Sequence, residues 1–266
     1  MTPEERYLFD LNGFLHLKNV LSENELIAAQ EAADRYITTP PNDLPPGFGI
    51  DGIRHINGFA FDKSLERLVF HPEIWPIVRE FTAGRPKLSG GTLQVSVGNS
   101  DDHAYRLHSA REDTGPDSSH YEVRDGRIFC DNSVFFHYLS DVNPGDGGVV
   151  VLPGSHRSEF ERPLNLFNNG TMEGLEEAPD GILNITPRAG DVVIITESLT
   201  HGALAWKPVD RYRAILMLRY STQERTSSLV SEEAKSRLSP ETVELVETCP
   251  ETHKKRIAEK EVVTLS

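Results

Sequence analysis

Residues 134–156 read VFFHYLSDVNPGDGGVVVLPGSH, and this stretch sets the pattern of the central region. A run of aromatic and β-branched residues at 134–139 is followed by a turn rich in Pro, Gly and Asp. A second apolar run at 149–152 ends at another Pro-Gly turn. Short apolar runs between turn residues predict antiparallel strands joined by tight connections. We therefore expect a β-sandwich or barrel at the centre of the chain.

Segments on both sides of this stretch continue the pattern. They alternate apolar and polar residues or are rich in β-branched residues, and turns such as Arg188-Ala189-Gly190-Asp191 separate them. We expect further strands at 93–97, 127–130, 183–186, 192–195 and 212–220. The sequence thus predicts a mainly β protein with a barrel core over about residues 88–221.

Helix signals flank this core. Ser22-Glu23-Asn24-Glu25 forms a capping box in front of an alanine-rich stretch at 26–36. Ser239-Pro240 combines a capping residue with a proline that suits the first helical position. We predict a helical N-terminal part over about residues 1–85 and a helical tail over about residues 231–266. Since no composition break separates these parts, we expect a single domain over residues 1–266.

The composition excludes several classes of function. The chain has 27 Lys and Arg against 41 Asp and Glu, which gives a formal charge of −14. Nucleic acids and anionic membranes attract basic surfaces, so neither is expected as a partner. The two cysteines, Cys130 and Cys249, form no CxxC pair, which excludes a zinc ribbon or a disulfide scaffold and favours a cytoplasmic location. A monomer and a homo-oligomer are both compatible with the sequence.

Any metal site must therefore use His, Asp or Glu side chains. Two of the ten histidines stand out, because His108 follows a strand-like segment and His201 follows the predicted strand 192–195. Both lie at strand ends, where a rigid β-scaffold carries its binding residues. Taken singly, each is also the kind of histidine found in ordinary loops. Only the fold can bring the two together.

Three segments resemble the phytanoyl-CoA dioxygenase family of iron(II)/2-oxoglutarate oxygenases. Residues 12–22, NGFLHLKNVLS, are similar to its N-terminal signature, and residues 146–156, DGGVVVLPGSH, are similar to its Gly-Gly-strand-Pro-Gly-Ser-His segment. Residues 189–195, AGDVVII, running on to His201-Gly202, resemble the strand that precedes the second iron-binding histidine. The resemblance extends over about residues 9–221.

The resemblance implies a double-stranded β-helix, which is a cupin-like jelly-roll barrel. It also implies that His108 and His201 are iron(II) ligands and that 2-oxoglutarate and molecular oxygen react with a small-molecule substrate there. Neutral imidazoles suit iron(II), and such sites use two histidines and one carboxylate. Family members carry an arginine for 2-oxoglutarate about a dozen residues after the second histidine. Arg213 matches that position better than Arg211, and a guanidinium pairs with a carboxylate through two hydrogen bonds.

The family pattern at the first ligand is His-x-Asp, but here the chain reads His108-Ser109-Ala110. The carboxylate ligand is therefore missing. Three explanations remain open. In the first, Glu112, Glu197 or a water molecule fills the third position. In the second, chloride fills it, as in the iron/2-oxoglutarate halogenases, which carry a small residue there. In the third, iron binding is lost and the chain is a non-catalytic jelly-roll protein that binds a small molecule.

The expected activity is hydroxylation of a small organic substrate by an iron(II)/2-oxoglutarate-dependent dioxygenase. Halogenation and non-catalytic binding are the alternatives. No catalytic side chain is expected beyond the metal centre and the cosubstrate arginine. The identity of the substrate is not encoded in any of these motifs.

Overall fold

The strands form two antiparallel sheets and a hairpin in the computed structural model, which describes residues 1–98, 105–115, 119–160, 162–163, 175, 177–226 and 228–266. In this part of the chain the strands are β1 Phe14–Leu17, β2 Ile50–Asp51, β3 Arg54–His55, β4 Pro86–Ser96, β5 Tyr105–His108, β6 Tyr121–Arg124, β7 Arg127–Cys130, β8 Asn132–Tyr138, β9 Gly148–Val151, β10 Leu183–Asn184, β11 Val192–Thr196, β12 His201–Leu204 and β13 Arg213–Thr222. The α-helices are α1 Pro3–Asn12, α2 Glu23–Thr38, α3 Lys63–Arg67, α4 Trp75–Phe81, α5 Ala110–Thr114, α6 Glu232–Lys235 and α7 Pro240–Val246.

Seven strands make the larger sheet, in the order β1-β11-β8-β13-β4-β3-β2. Four make the smaller sheet, in the order β10-β9-β12-β5, and β6 pairs with β7. In the larger sheet, β8 lies between β11 and β13, which are much later in the chain. The sheets therefore bring distant segments into contact.

The outer face of the larger sheet packs against the helices. Along β13, Leu216, Leu218 and Tyr220 are buried in a cluster with side chains of α2 and α4, such as Tyr36 and Trp75. Successive side chains of a strand point to opposite faces, so every second residue of β13 belongs to this cluster. On α2, the buried residues recur at helical spacing: Ala29, Ala32, Ala33 and Tyr36.

The inner face of the larger sheet packs against the smaller sheet. Phe136 and Tyr138 of β8 share a second buried cluster with Val149 and Val151 of β9 and Ile215 of β13. Because this cluster combines side chains from both sheets, the two sheets lie face to face and enclose an interior. The residues of β13 that point inward are the ones between those that face the helices.

The prediction of a β-core is confirmed, as is the mixed composition of sheet and helix. Every strand expected from the sequence is present, and β7 has the predicted bounds. The capping box is also present, since α2 begins at Glu23 and the Ser22 N–H donates to the Glu25 carboxylate over 2.9 Å. The predicted tail helix begins at Pro240 with Ser239 as its cap.

The prediction that residues 1–85 are helical is partly wrong. Gly13 ends α1 in a left-handed conformation with φ of 79°, and the chain then continues as β1. Phe14 to Leu17 pair with Ile195 to Val192 of β11, so a remote strand provides the hydrogen bonds that stabilise this segment. Strands β2 and β3 likewise extend the other edge of the same sheet. Such pairing partners are not visible in the local pattern.

In the part of the chain that the structure describes, no helix combines the length and apolar character needed to cross a membrane.

Candidate metal centre

His108 and His201 lie side by side on adjacent strands of the smaller sheet. They are direct partners in the register between β5 and β12, and their ring centroids are 4.2 Å apart. Leu107 and Leu204 are buried in a separate cluster on the outer side of this sheet. Since side chains alternate along a strand, His108 and His201 point to the opposite side, into the interior. The sheet register thus brings together two histidines that are far apart in the sequence.

Each ring is oriented by the backbone. The Nδ1 atom of His108 lies 3.0 Å from the carbonyl oxygen of Arg106, and that of His201 lies 2.8 Å from the carbonyl oxygen of Leu199. A neutral imidazole that donates from Nδ1 carries its lone pair on Nε2, which is the atom left to bind a metal.

Both imidazoles are held in the neutral form. Burial, followed by the neighbouring His201, lowers the pKa of His108 to about 4. The Arg219 cation makes a smaller contribution in the same direction. Burial also lowers the pKa of His201. A metal ligand must be deprotonated, and these rings meet that condition at neutral pH.

Ala110 begins the short helix α5, with Ser109 as its N-cap. In an extended strand, residues 108 and 110 would share one face, but the chain turns into a helix directly after Ser109. The Ala110 N–H donates to the carbonyl oxygen of Glu197 over 2.7 Å, which holds this turn against the segment before β12. A methyl group therefore stands where the family pattern has a carboxylate.

Neither Glu112 nor Glu197 joins the histidine pair. The Glu112 carboxylate lies 3.1 Å from Nη1 of Arg162, and the Glu197 carboxylate forms an ion pair with Arg219. No group of three His, Cys, Asp or Glu side chains suited to a metal ion occurs among the described residues. Arginines hold both carboxylates, so either glutamate would have to leave its ion pair to complete the ligand set.

Arg213 lies in the interior, whereas Arg211 lies outside it. The Arg213 side chain is buried at 3% exposure, its Nη2 donates to Ser96 Oγ over 2.9 Å, and its guanidinium lies 5.4 Å from the centre of the Trp206 ring. Arg211 instead forms an ion pair with Asp146. Of the two candidates from the sequence, Arg213 is the one on the same interior as the histidines.

The surroundings of Arg213 form a small polar cradle. The Tyr138 hydroxyl is buried and has no hydrogen-bond partner in the described part of the chain. Burial raises the pKa of Tyr138, and the Arg213 cation acts in the opposite direction. Gly148 has a φ of 91°, and a Cβ there would lie 2.7 Å from Arg213 Nη1. A guanidinium, a buried hydroxyl donor and a glycine that leaves space suit the carboxylate end of a small acid.

Tyr138, Trp206 and Arg219 were not predicted as site residues. Tyr138 and Arg219 both lie on inward-facing positions of predicted strands, so the period-two pattern was the one sequence feature that could have indicated them. Their roles depend on which face is the interior, and that is decided by sheet packing.

A family model described as Phytanoyl-CoA dioxygenase (PhyH) matches residues 9–207. A probable phytanoyl-CoA dioxygenase of Caenorhabditis elegans is 22% identical in an alignment 272 positions long, which covers 90% of this chain and 85% of the relative.

Solved structures share the fold. HygX from Streptomyces hygroscopicus, with nickel and 2-oxoglutarate bound, has a TM-score of 0.71 and 24% identity over 85% of this chain and 89% of its own. EctD from S. alaskensis, with 2-oxoglutarate and 5-hydroxyectoine, has a TM-score of 0.66 and 19% identity over 84% of this chain and 77% of its own.

Proposed function

Because the chain belongs to the phytanoyl-CoA dioxygenase family, we propose that it is an iron(II)- and 2-oxoglutarate-dependent oxygenase that hydroxylates a small organic substrate. The observation that carries the proposal is the pair of neutral, inward-facing imidazoles of His108 and His201, 4.2 Å apart. The proposal includes a single domain over residues 1–266 with the two sheets as a double-stranded β-helix. The two free cysteines are in keeping with a reducing cytoplasm.

The chemistry of the donor set supports iron(II). His108 and His201 each offer Nε2 to one ion, and their Nδ1 contacts with backbone carbonyls orient the rings toward it. Two protein ligands leave positions for a bidentate cosubstrate and for oxygen. Neighbouring structures that hold nickel or iron, HygX among them, share this fold.

The cradle at Arg213 supports 2-oxoglutarate as the cosubstrate. In the proposal, Arg213 pairs with the carboxylate far from the metal, and the Tyr138 hydroxyl donates to the same group. When bound, iron, 2-oxoglutarate and oxygen would supply the oxidation of an unactivated C–H bond. The chain's own contribution is to orient the cosubstrate from Arg213 to the histidines and to surround it with an apolar wall that includes Val149 and Val151.

The proposal predicts a spectroscopic signal. Anaerobic protein given Fe(II) and then 2-oxoglutarate should develop a weak metal-to-ligand charge-transfer band in the visible region, and exposure to oxygen should then yield succinate. Absence of both the band and succinate would contradict the proposal and favour the non-catalytic binding protein.

Ala110 favours chlorination as a second candidate activity. Its methyl group leaves one ligand position without a protein carboxylate, and the nearby Glu112 and Glu197 are engaged by arginines. A chloride ion in that position would lead to a chlorinated product, whereas water would lead to hydroxylation.

Substitution of Ala110→Asp tests this point. Because Ala110 is the first residue of α5, an aspartate there suits the helix terminus and should not disturb folding. We expect Ni(II) affinity to rise by about tenfold or more, since a carboxylate adds a third ligand. Any dependence of Ni(II) binding on chloride should disappear. Calorimetric titration with and without chloride measures both effects.

The matched control is Ala110→Asn, which adds a similar volume without the charge. If Ala110→Asp and Ala110→Asn bind Ni(II) equally, position 110 does not face the metal. The halogenase would be excluded by two results together: the wild type binds Ni(II) equally well with and without chloride, and its product is hydroxylated only.

A further inference from the structure

The Trp206 ring lies against two arginines. The Cζ atom of Arg213 is 5.4 Å from the ring centre, and that of Arg211 is 4.9 Å from it. Both distances are within the range of cation–π contacts. The indole Nε1 atom also donates to the carbonyl oxygen of Arg211 over 3.2 Å. One aromatic side chain therefore joins the buried arginine of the polar cradle to an arginine outside the interior.

The outer arginine is fixed to the segment between β8 and β9. Arg211 forms an ion pair with Asp146, and its Nη1 atom donates to the carbonyl oxygen of Asp141 over 2.7 Å. The Lys207 N–H donates to the carbonyl oxygen of Asp146 over 3.0 Å, so the backbone next to Trp206 is tied to the same segment. Trp206 is therefore anchored through its neighbour in the chain and through the outer arginine that it contacts.

The indole ring also belongs to the buried cluster that combines side chains from both sheets. That cluster contains Tyr138 and Val149 as well. Exposure falls from 32% for the Arg211 side chain to 5% for Trp206 and 3% for Arg213, so these three residues lead from the surface into the interior. Because apolar packing and backbone contacts together restrict the ring, it can hold a neighbouring side chain in one place.

Arg213 has to be held by contacts that leave donors available, since its proposed role is to pair with a carboxylate of 2-oxoglutarate. Ser96 accepts from the Nη2 atom of Arg213 and so takes one donor. The contact with the Trp206 ring takes none, because the attraction is between the cation and the π electrons. A protein carboxylate in the place of the ring would compete with the ligand for the guanidinium fork. An aromatic ring thus orients the guanidinium without such competition.

We propose that Trp206 is a positioning residue of the cosubstrate site, which holds the Arg213 guanidinium in the orientation that receives the distal carboxylate of 2-oxoglutarate. This inference rests on the proposed function and adds a residue to that site. The expected contribution is about tenfold in 2-oxoglutarate affinity, because cation–π contacts are strongest where the cation is shielded from water.

Trp206→Leu tests the role, since it removes the aromatic face and keeps an apolar side chain. Calorimetric titration of 2-oxoglutarate into the Ni(II)-loaded variant should show an affinity about tenfold lower than that of the wild type, whereas Ni(II) itself should bind equally to both. Trp206→Phe keeps a smaller aromatic face and should lose about threefold. The matched control is Arg188→Gln, which changes an exposed arginine that contacts Asp141 and should leave 2-oxoglutarate binding unchanged.

A double-substitution cycle separates positioning from packing. If the ring acts through Arg213, Trp206→Leu should change 2-oxoglutarate affinity by less than about twofold in the Arg213→Gln background, because the group that the ring positions is gone. Equal losses of affinity in the two backgrounds would show that the ring supports the site by packing alone, and they would overturn the inference.

Fluorescence gives a second readout. The chain has two tryptophans, and Trp75 lies on α4 in the cluster between the larger sheet and the helices. Binding of 2-oxoglutarate to the Ni(II)-loaded wild type should change the emission, since the ligand is proposed to bind at Arg213, beside Trp206. The emission of Trp206→Phe comes from Trp75 alone and should not respond. An equal response of both proteins would contradict the role assigned to the ring.

The outcomes distinguish this inference from the proposed function. If the wild type binds Ni(II) but not 2-oxoglutarate, the proposed function fails and the inference fails with it. If folded Trp206→Leu binds 2-oxoglutarate as tightly as the wild type does, while Arg213→Gln binds it more weakly, the positioning role alone fails. If Trp206→Leu does not fold, the affinity and the fluorescence response of Trp206→Phe decide the question.

Discussion

His201→Ala is expected to lower the affinity of the protein for Fe(II) or Ni(II) by at least about 100-fold, because even the loss of an outer partner of a metal ligand costs 10–100-fold. In the proposed centre, two histidines of the described residues hold the metal, so the variant would bind it through one imidazole. His108→Ala should have the same effect, because the two rings are register partners and are proposed to bind the same ion. Anaerobic calorimetric titration with Ni(II) measures both affinities.

The control for this prediction is His253→Ala, which changes an exposed histidine in the C-terminal segment. It should bind Ni(II) like the wild type. Thermal melting of the metal-free proteins separates loss of a ligand from loss of the fold. If the folded His201→Ala variant binds Ni(II) as tightly as the wild type does, the proposed metal centre is contradicted.

Arg213→Gln is expected to weaken 2-oxoglutarate binding by about 100-fold, since truncating one partner of a buried charged pair costs roughly 2–5 kcal/mol. The guanidinium is almost fully buried, so water replaces its contact with the carboxylate poorly. Titration of 2-oxoglutarate into the Ni(II)-loaded protein measures the change. Unchanged affinity would remove Arg213 from the cosubstrate site.

Gly148→Ala tests the same cradle without touching the charge. The new Cβ would lie 2.7 Å from Arg213 Nη1, so the guanidinium must shift. Gly145 is the matched control, since its φ is 90° and a Cβ there meets no atom within 4 Å. Both alanines should cost roughly 1–2 kcal/mol of stability for the left-handed backbone. Only Gly148→Ala should weaken 2-oxoglutarate binding.

The strands of the core could be predicted from local sequence. Period-two alternation and Gly/Pro/Asp turns are properties of neighbouring residues, and the larger sheet obeys them at β8, β11 and β13. Strands β1 and β12 were not predicted, since the partners that stabilise them are remote in the chain. For short strands, the hydrogen bonds of the partner outweigh the local preference.

The residues of the candidate site also fall into those that local sequence predicts and those that depend on remote partners. His108, His201 and Arg213 follow from motifs and spacing, which depend only on order along the chain. Motifs and spacing do not give the positions of Tyr138 and Arg219. They also do not show that arginines engage Glu112 and Glu197. Those contacts join side chains from separate strands and loops, so their distances depend on sheet register and on which face is enclosed.

The sequence by itself therefore determined the β-core, the family and the candidate metal and cosubstrate residues, because short-range patterns encode all of these. Only the tertiary structure decided that His108 and His201 are neighbours and that arginines hold Glu112 and Glu197. The physical reason is that ion pairs and burial depend on distances in space, and the packing of two sheets sets those distances.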